Sequence, residues 1–113
     1  MDKVVKYRKI VRALMQKQAD IRANRKGIET QFNINEKEGH FQLVNVGWRE
    51  NRRYYGCFLH IDVKANGKVY LQHDGTDLVV AQMLVDAGIP KEDIVLAFQP
   101  PSVRKHIEGF ALA

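Results

Sequence analysis

The sequence predicts an α+β domain with an N-terminal amphipathic helix, a four-stranded antiparallel meander, a second helix and a short fifth strand. Three observations predict it. The first 26 residues repeat apolar side chains at helical spacing. Residues 40–77, HFQLVNVGWRENRRYYGCFLHIDVKANGKVYLQHDGTD, hold three β-branched and aromatic runs joined by two compact turns. Residues 77–87 then turn apolar again before a glycine.

Asp2 can cap a first helix whose apolar positions are Val4, Tyr7, Ile10, Val11, Leu14, Met15 and Ile21. Lys6, Arg8, Lys9, Arg12 and Lys17 fall on the opposite face. Arg22, Arg25 and Lys26 gather at the end, where cations suit the helix dipole, and Gly27 is the natural stop. Ile28–Ile34 alternates loosely, with Ile28, Thr30, Phe32 and Ile34 on one face, and Asn35–Gly39 is a polar turn. Phe41–Trp48 is apolar on both faces, Phe41 and Leu43 against Val44, Val46 and Trp48, which predicts a central strand covered on both sides. Glu50-Asn51-Arg52 turns the chain. Arg53–Val63 follows as a long strand, with Tyr55, Cys57, Leu59, Ile61 and Val63 on one face and Tyr54, Phe58, His60 and Asp62 on the other. Asn66-Gly67 suits a type I′ hairpin turn, after which Lys68–His73 returns. Thr76 is placed to cap a buried helix over Asp77–Ala87, ended by Gly88. Pro90–Asp93 suits a short helical turn, Ile94–Phe98 a fifth strand, and Pro100-Pro101 a break. The Gly109-Phe-Ala-Leu-Ala tail is apolar enough to dock.

With 113 residues the expectation is one domain, residues 1–113, able to bury an ordinary core without staples. No apolar run approaches the ~20 residues of a membrane helix, and the basic start lacks the apolar segment of a signal peptide. The single cysteine, Cys57, has no internal disulfide partner and reads as a small buried hydrophobe. Together these point to a cytoplasmic chain. The net charge of +5 is unevenly spread: residues 1–26 carry nine Lys/Arg against two Asp, and the remainder is slightly acidic. Such a cluster suits nucleic acid or an acidic partner.

Three groups of residues could carry function. Lys6, Arg8, Lys9 and Arg12 on the first helix could meet DNA phosphates or an acidic surface, or serve simply as a solvated face whose stems cover apolar surface. Arg49, Arg52 and Arg53 beside Trp48, Tyr54 and Tyr55 form a second basic patch, since arginine among aromatics can stack and pair with phosphates; flanking charges can equally serve solubility. His60 and Asp62 project from one strand face, and pairing centred on Asn66-Gly67 sets His73 across from His60, with Asp74 beside it. That polar cluster suits a metal or acid–base site, or a plain cross-strand hydrogen-bonded pair. Cys57 and His60, an odd number apart, fall on opposite faces and cannot share an ion without a bulge. Gly56 reads as close packing beneath a ring. No phosphate loop, dinucleotide fingerprint or zinc-protease motif occurs, so no metal, cofactor or catalytic residue is expected. Ile28–Ile34 or Ile94–Phe98 could form an open sheet edge, which leaves homo-oligomers possible.

Six stretches then occur in a distinctive order: Phe41-Gln-Leu-Val-Asn-Val-Gly-Trp48, Arg52-Arg-Tyr-Tyr-Gly-Cys57, His60-Ile-Asp62, Asp74-Gly-Thr-Asp77, Gly88-Ile-Pro-Lys-Glu-Asp-Ile-Val-Leu96 and Gly109-Phe-Ala111. With the Tyr7-Arg8-Lys9-Ile10 helix ahead of them, the chain resembles the XisI family, element-excision controlling factors of cyanobacteria, over nearly its whole length. Asp77, Gln99 and Glu108 stand where that family usually has Glu, His and Thr. The resemblance implies an accessory role beside an XisH-like companion and a site-specific recombinase. It assigns no catalytic residue. The expectation is therefore a non-enzymatic controlling factor for excision of a DNA element, acting mainly by protein–protein contact. The alternatives are a direct DNA-binding accessory protein using the basic helix, and a small metal-dependent hydrolase at His60, Asp62 and His73.

Overall fold

A computed structural model describes residues 2–112. Helix α1 spans Lys3–Arg22, with the Asp2 carboxylate accepting from the Val4 amide at 3.0 Å. Its apolar stripe buries Tyr7, Val11, Met15 and Ala19, with Val4, Ile10 and Leu14 partly covered. Ile21, expected in the stripe, is 66% exposed. The helix also ends earlier than Gly27: the Ala23 amide bonds Asp20 O and the Arg25 amide bonds Arg22 O, tightening the last turn before the chain reverses.

Four antiparallel strands follow: β1 (Ile28–Asn35), β2 (His40–Arg49), β3 (Arg52–Val63) and β4 (Val69–Asp74). The meander predicted from the turns is thus the architecture found. Helix α2 (Val80–Asp86), a 3₁₀ turn at Lys91–Asp93, strand β5 (Ile94–Val95) and a helical turn α3 (Pro101–Arg104) complete the order. The sheet runs β1-β2-β3-β4-β5, and β5 lies parallel to β4. α1 and α2 lie on one face, where Phe41, Leu43, Leu59, Ile61, Val69, Leu71, Val80, Leu84 and Ile94 close the core. Each such side chain contributes roughly 1.5–3 kcal/mol by leaving water. Among the described residues no helix is long and apolar enough to cross a membrane.

Several boundaries move for identifiable reasons. α2 begins at Val80 instead of Asp77, because the Thr76 hydroxyl closes a local turn by accepting from the Leu78 amide, while the Asp74 carboxylate takes the Val80 amide. Its end is as expected: the Ile89 amide bonds Leu84 O and the Gly88 amide bonds Val85 O, a Schellman pair. The fifth strand shrinks from Ile94–Phe98 to two residues, and Pro100-Pro101 opens α3 instead of only breaking structure. The tail docks, with the Ala111 amide bonding Ile94 O at 2.9 Å; its last residue, Ala113, lies outside the described residues.

The two hairpin turns exchange character. Between β3 and β4 the Lys64 amide bonds Lys68 O, enclosing a three-residue loop in which Gly67 alone has positive φ, +82°. The type I′ geometry falls instead at Glu50-Asn51, with φ of 51° and 63°.

A β-bulge changes more. The β2–β3 register shifts between Leu43 and Val44, so that Leu43 faces Leu59 while Val44 faces Cys57, leaving Phe58 as the extra residue. Phe58 and Leu59 both turn toward the helices. Tyr55 and Cys57 therefore share the far face with His60 and Asp62, opposite to the alternation expected. Cys57 is exposed, not buried. Apart from its two chain neighbours, no described residue comes within 4 Å of the position a Gly56 β-carbon would take, so no ring from another strand packs upon it. β2 is central by pairing, but no helix among the described residues covers its second face: Val44 and Val46 are half-buried and Trp48 is 59% exposed.

Candidate functional site

The uncovered sheet face ends in the β2–β3 hairpin tip. Alternation places Trp48, Arg53 and Tyr55 on that face, and Arg52 and Tyr54 on the other. The Arg53 guanidinium lies over both the Trp48 and Tyr55 rings, 5.3 and 5.5 Å from their centroids. Arg52 stacks over Tyr54 at 5.4 Å. Such contacts, at about 0.5–1 kcal/mol each when exposed, hold long cationic side chains in fixed directions. Tyr55 is 74% exposed, so the rings serve no interior. Two shallow concavities share this tip, one lined by Lys26, Gly27, Trp48, Arg49 and Glu50, the other by Arg49, Glu50, Arg52 and Tyr54. Glu50 is the single acid among their linings. Close by, Arg25 donates to Asn45 Oδ1 at 2.7 Å and steadies the chain entering β1.

The basic helix is differently employed. Lys6 and Lys9 are exposed, but Arg8 is half-buried and donates from Nη2 to Val63 O at 3.2 Å. Arg12 grips both oxygens of Glu36, at 3.2 and 3.0 Å. Two of the four expected contact residues therefore fasten α1 to the sheet. The Arg12–Glu36 pair is half-exposed on both sides, so Arg12→Ala should cost no more than about 0.5 kcal/mol in urea unfolding.

The polar cluster is assembled from partly different residues. Asp62, 6% exposed, accepts at Oδ1 from His40 Nδ1 at 2.8 Å and from His60 Nε2 at 2.9 Å, and at Oδ2 from Gln72 Nε2 at 3.2 Å. His73 does face His60 across the strands, but through a second bulge: Ile61 faces Leu71, and Gln72 is extra. His73 leans toward Gly75 and is not among the partners of Asp62. Asp74 turns to the helix side, where it accepts from Thr76 and Val80. The expected grouping of His60, Asp62, His73 and Asp74 is thus replaced by His40, His60, Asp62 and Gln72. Both carboxylate oxygens are occupied by hydrogen-bond partners, and among the described residues no group of three His, Cys, Asp or Glu side chains is arranged to hold a metal ion. The bulge puts Cys57 on the face of His60, yet its Sγ is directed to Leu59 O at 3.4 Å, and partial burial pushes the thiol pKa up. A thiol held protonated makes a poor ligand or nucleophile.

A second polar group, missed in the sequence, lies beneath α1. Buried Tyr7 donates its hydroxyl to Asp93 Oδ2, and Lys3 and Lys68 approach Asp93 at 3.5 and 3.7 Å. Burial, then hydrogen bonding to and charge on Asp93, push the Tyr7 pKa up to about 12. Burial opposes ionisation of Asp93, but the Tyr7 hydroxyl and the two ammonium groups outweigh it and hold the carboxyl below its ordinary value. This group locks α1 to the 3₁₀ turn and is structural.

The comparisons with known proteins agree with this architecture. The XisI protein family matches residues 1–112, and no curated protein matches the chain. A solved XisI-like protein from Anabaena variabilis ATCC 29413 is 36% identical over 96% of this chain and 98% of its own, with a TM-score of 0.87. The fdxN element excision controlling factor XisI from the same organism is 28% identical over 99% of this chain and all of its own, with a TM-score of 0.83. Matched end to end in sequence pattern and in fold, this chain belongs to the XisI family.

Proposed function

We propose that this chain is a non-enzymatic controlling factor for the site-specific excision of a DNA element, acting in the cytoplasm with an XisH-like companion and a recombinase. The observation that carries the proposal is the end-to-end kinship with the fdxN excision controlling factor. The surface features support action by contact rather than by chemistry. The buried carboxylate Asp62 is consumed by its own neighbours, whereas the Trp48–Arg53–Tyr55 stack is presented to solvent. Tryptophan, tyrosine and arginine are the residue types on which protein interfaces concentrate their binding energy.

The companion encoded beside this gene, used as bait, should capture the chain. Trp48→Ala and Arg53→Ala should each weaken capture roughly 30-fold, the ~2 kcal/mol of a hot-spot residue. Neutralising Lys6 and Lys9 should leave it unchanged. Undiminished capture by the tip variants would discard the tip as the contact.

Direct DNA binding is the second reading, and the cluster of Lys26, Arg49, Arg52 and Arg53 favours it at the tip over the helix. Duplex DNA titrated at several salt concentrations separates the two. Each neutralised phosphate contributes a slope of about −0.9 in log affinity against log salt, and a flat profile removes the DNA reading.

A further inference from the structure

We propose that β1 is a self-pairing edge: two copies of this chain join antiparallel through Ile28–Asn35, extending the meander into one continuous sheet with a two-fold axis at Gln31. The far edge of the sheet is already closed, since Ala111 bridges Val95 beside β5. β1 is different. It is eight residues long, IETQFNIN, and pairs with β2 along one side only. Natural edges of this length are normally blunted by lysine, proline, bulges or several charges. β1 has no lysine, no proline and no register shift, and Glu29 is its only charge.

The backbone supplies the geometry. The Trp48 amide bonds Gly27 O at 3.0 Å, which makes Gly27–Trp48 a hydrogen-bonded pair and fixes the alternation. Residues 29, 31, 33 and 35 then bond β2, while Thr30, Phe32 and Ile34 direct their amides and carbonyls outward. Outward groups fall only on even-numbered residues, so a second β1 can pair in antiparallel sense with side chains facing alike. Centred on Gln31, the register opposes Ile28 to Ile34 and Thr30 to Phe32 on the helix side. Gln31 meets Gln31 and Glu29 meets Asn33 on the other. No like charges meet, the amides can hydrogen bond, and Ile34, 36% exposed in the single chain, gains an apolar partner. The inversion places the two hairpin tips at opposite ends of the joined sheet. The inference stands independently of the excision role.

The test uses the full chain with Cys57→Ser, so that the only thiol is the one introduced. In Gln31→Cys, two sulfur-bearing side chains face each other across a non-hydrogen-bonded pair with β-carbons about 4.5–5.5 Å apart. Mild oxidation should convert most of the protein to a disulfide-linked dimer, whereas Asn33→Cys, which faces Glu29, should form little disulfide while still associating. Sedimentation equilibrium without any cysteine change should give a dimer mass. Ile34→Pro deletes an outward amide without touching the β1–β2 ladder and should shift the population at least tenfold toward monomer, with unchanged circular dichroism. A monomer at 100 µM would overturn the proposal. So would crosslinking at Asn33 in preference to Gln31, or an Ile34→Pro protein that stays folded and dimeric.

Discussion

Asp93→Ala is expected to lower the unfolding free energy by about 2–3 kcal/mol, roughly a 10 °C fall in Tm for a chain of this size. The loss is not that of a surface ion pair. Asp93 is nearly buried, and it is the acceptor for the Tyr7 hydroxyl, itself among the most enclosed polar groups of α1. Removing the carboxylate strands that hydroxyl under the helix and frees Lys3 and Lys68 from a shared anion. Asp93→Asn keeps an acceptor and should cost about half as much. The pH profile supplies a second readout. Asp93 is more acidic folded than unfolded, so its contribution is present above the ordinary value of 3.8 and fades as pH falls through the lower folded value. Tyr7 works at the other end. Its proton is held more tightly folded than unfolded, so stability is present below the ordinary 10.0 and drains as pH rises toward about 12. Wild type and Asp93→Ala should therefore converge in acid, and Tyr7→Phe should lack the alkaline loss. Parallel acid limbs for wild type and Asp93→Ala would refute the assignment.

The meander, the first helix and the family could all be read from the sequence, because each rests on local signals: helical periodicity in residues 3–22, turn residues, and ordered motifs. What could not be read were the places where packing adds a residue. A register centred on the Glu50-Asn51 turn would set Asp62 opposite Gly39. The bulge at Phe58 moves it to His40, and so builds the hydrogen-bonded cluster from a histidine that lies between the predicted turn and the predicted strand. The one available cue was the pair Phe58-Leu59, two large apolar residues in succession where strict alternation allows one. Likewise His73 does face His60, but only because the extra residue Gln72 offsets the three-residue loop at Gly67. The clustering of basic and aromatic residues at the hairpin tip is legible in the sequence, since the residues are neighbours along the chain. The fate of Arg8 and Arg12 was not, because Val63 and Glu36 are brought to them only by the tertiary fold.

Gly47→Ala should be among the most damaging single changes in the chain, at about 3 kcal/mol, the upper part of the range for overpacking. A β-carbon there would sit 2.0 Å from Gly27 O and 2.8 Å from the Ile28 Cα, and both are backbone atoms that no rotamer change can move. The obstruction is reciprocal: Gly27, with φ of +80°, would set its own β-carbon 2.3 Å from Trp48 O. Two glycines thus let the chain leaving α1 cross directly against β2, where the Trp48 amide bonds Gly27 O at 3.0 Å. Forcing them apart breaks that bond, uncovers buried Ile28 and shifts Lys26 relative to Trp48, which together line one concavity of the tip. Stability and partner capture should therefore fall together, even when capture is corrected for the folded fraction. Gly56→Ala is the natural comparison. Beyond its chain neighbours no described residue lies within 4 Å of its would-be β-carbon, so its φ of +150° is the main resistance to substitution, at about 1 kcal/mol. Equal losses for the two variants in urea unfolding would show that the crossing is not tight and that the tip is positioned by something else.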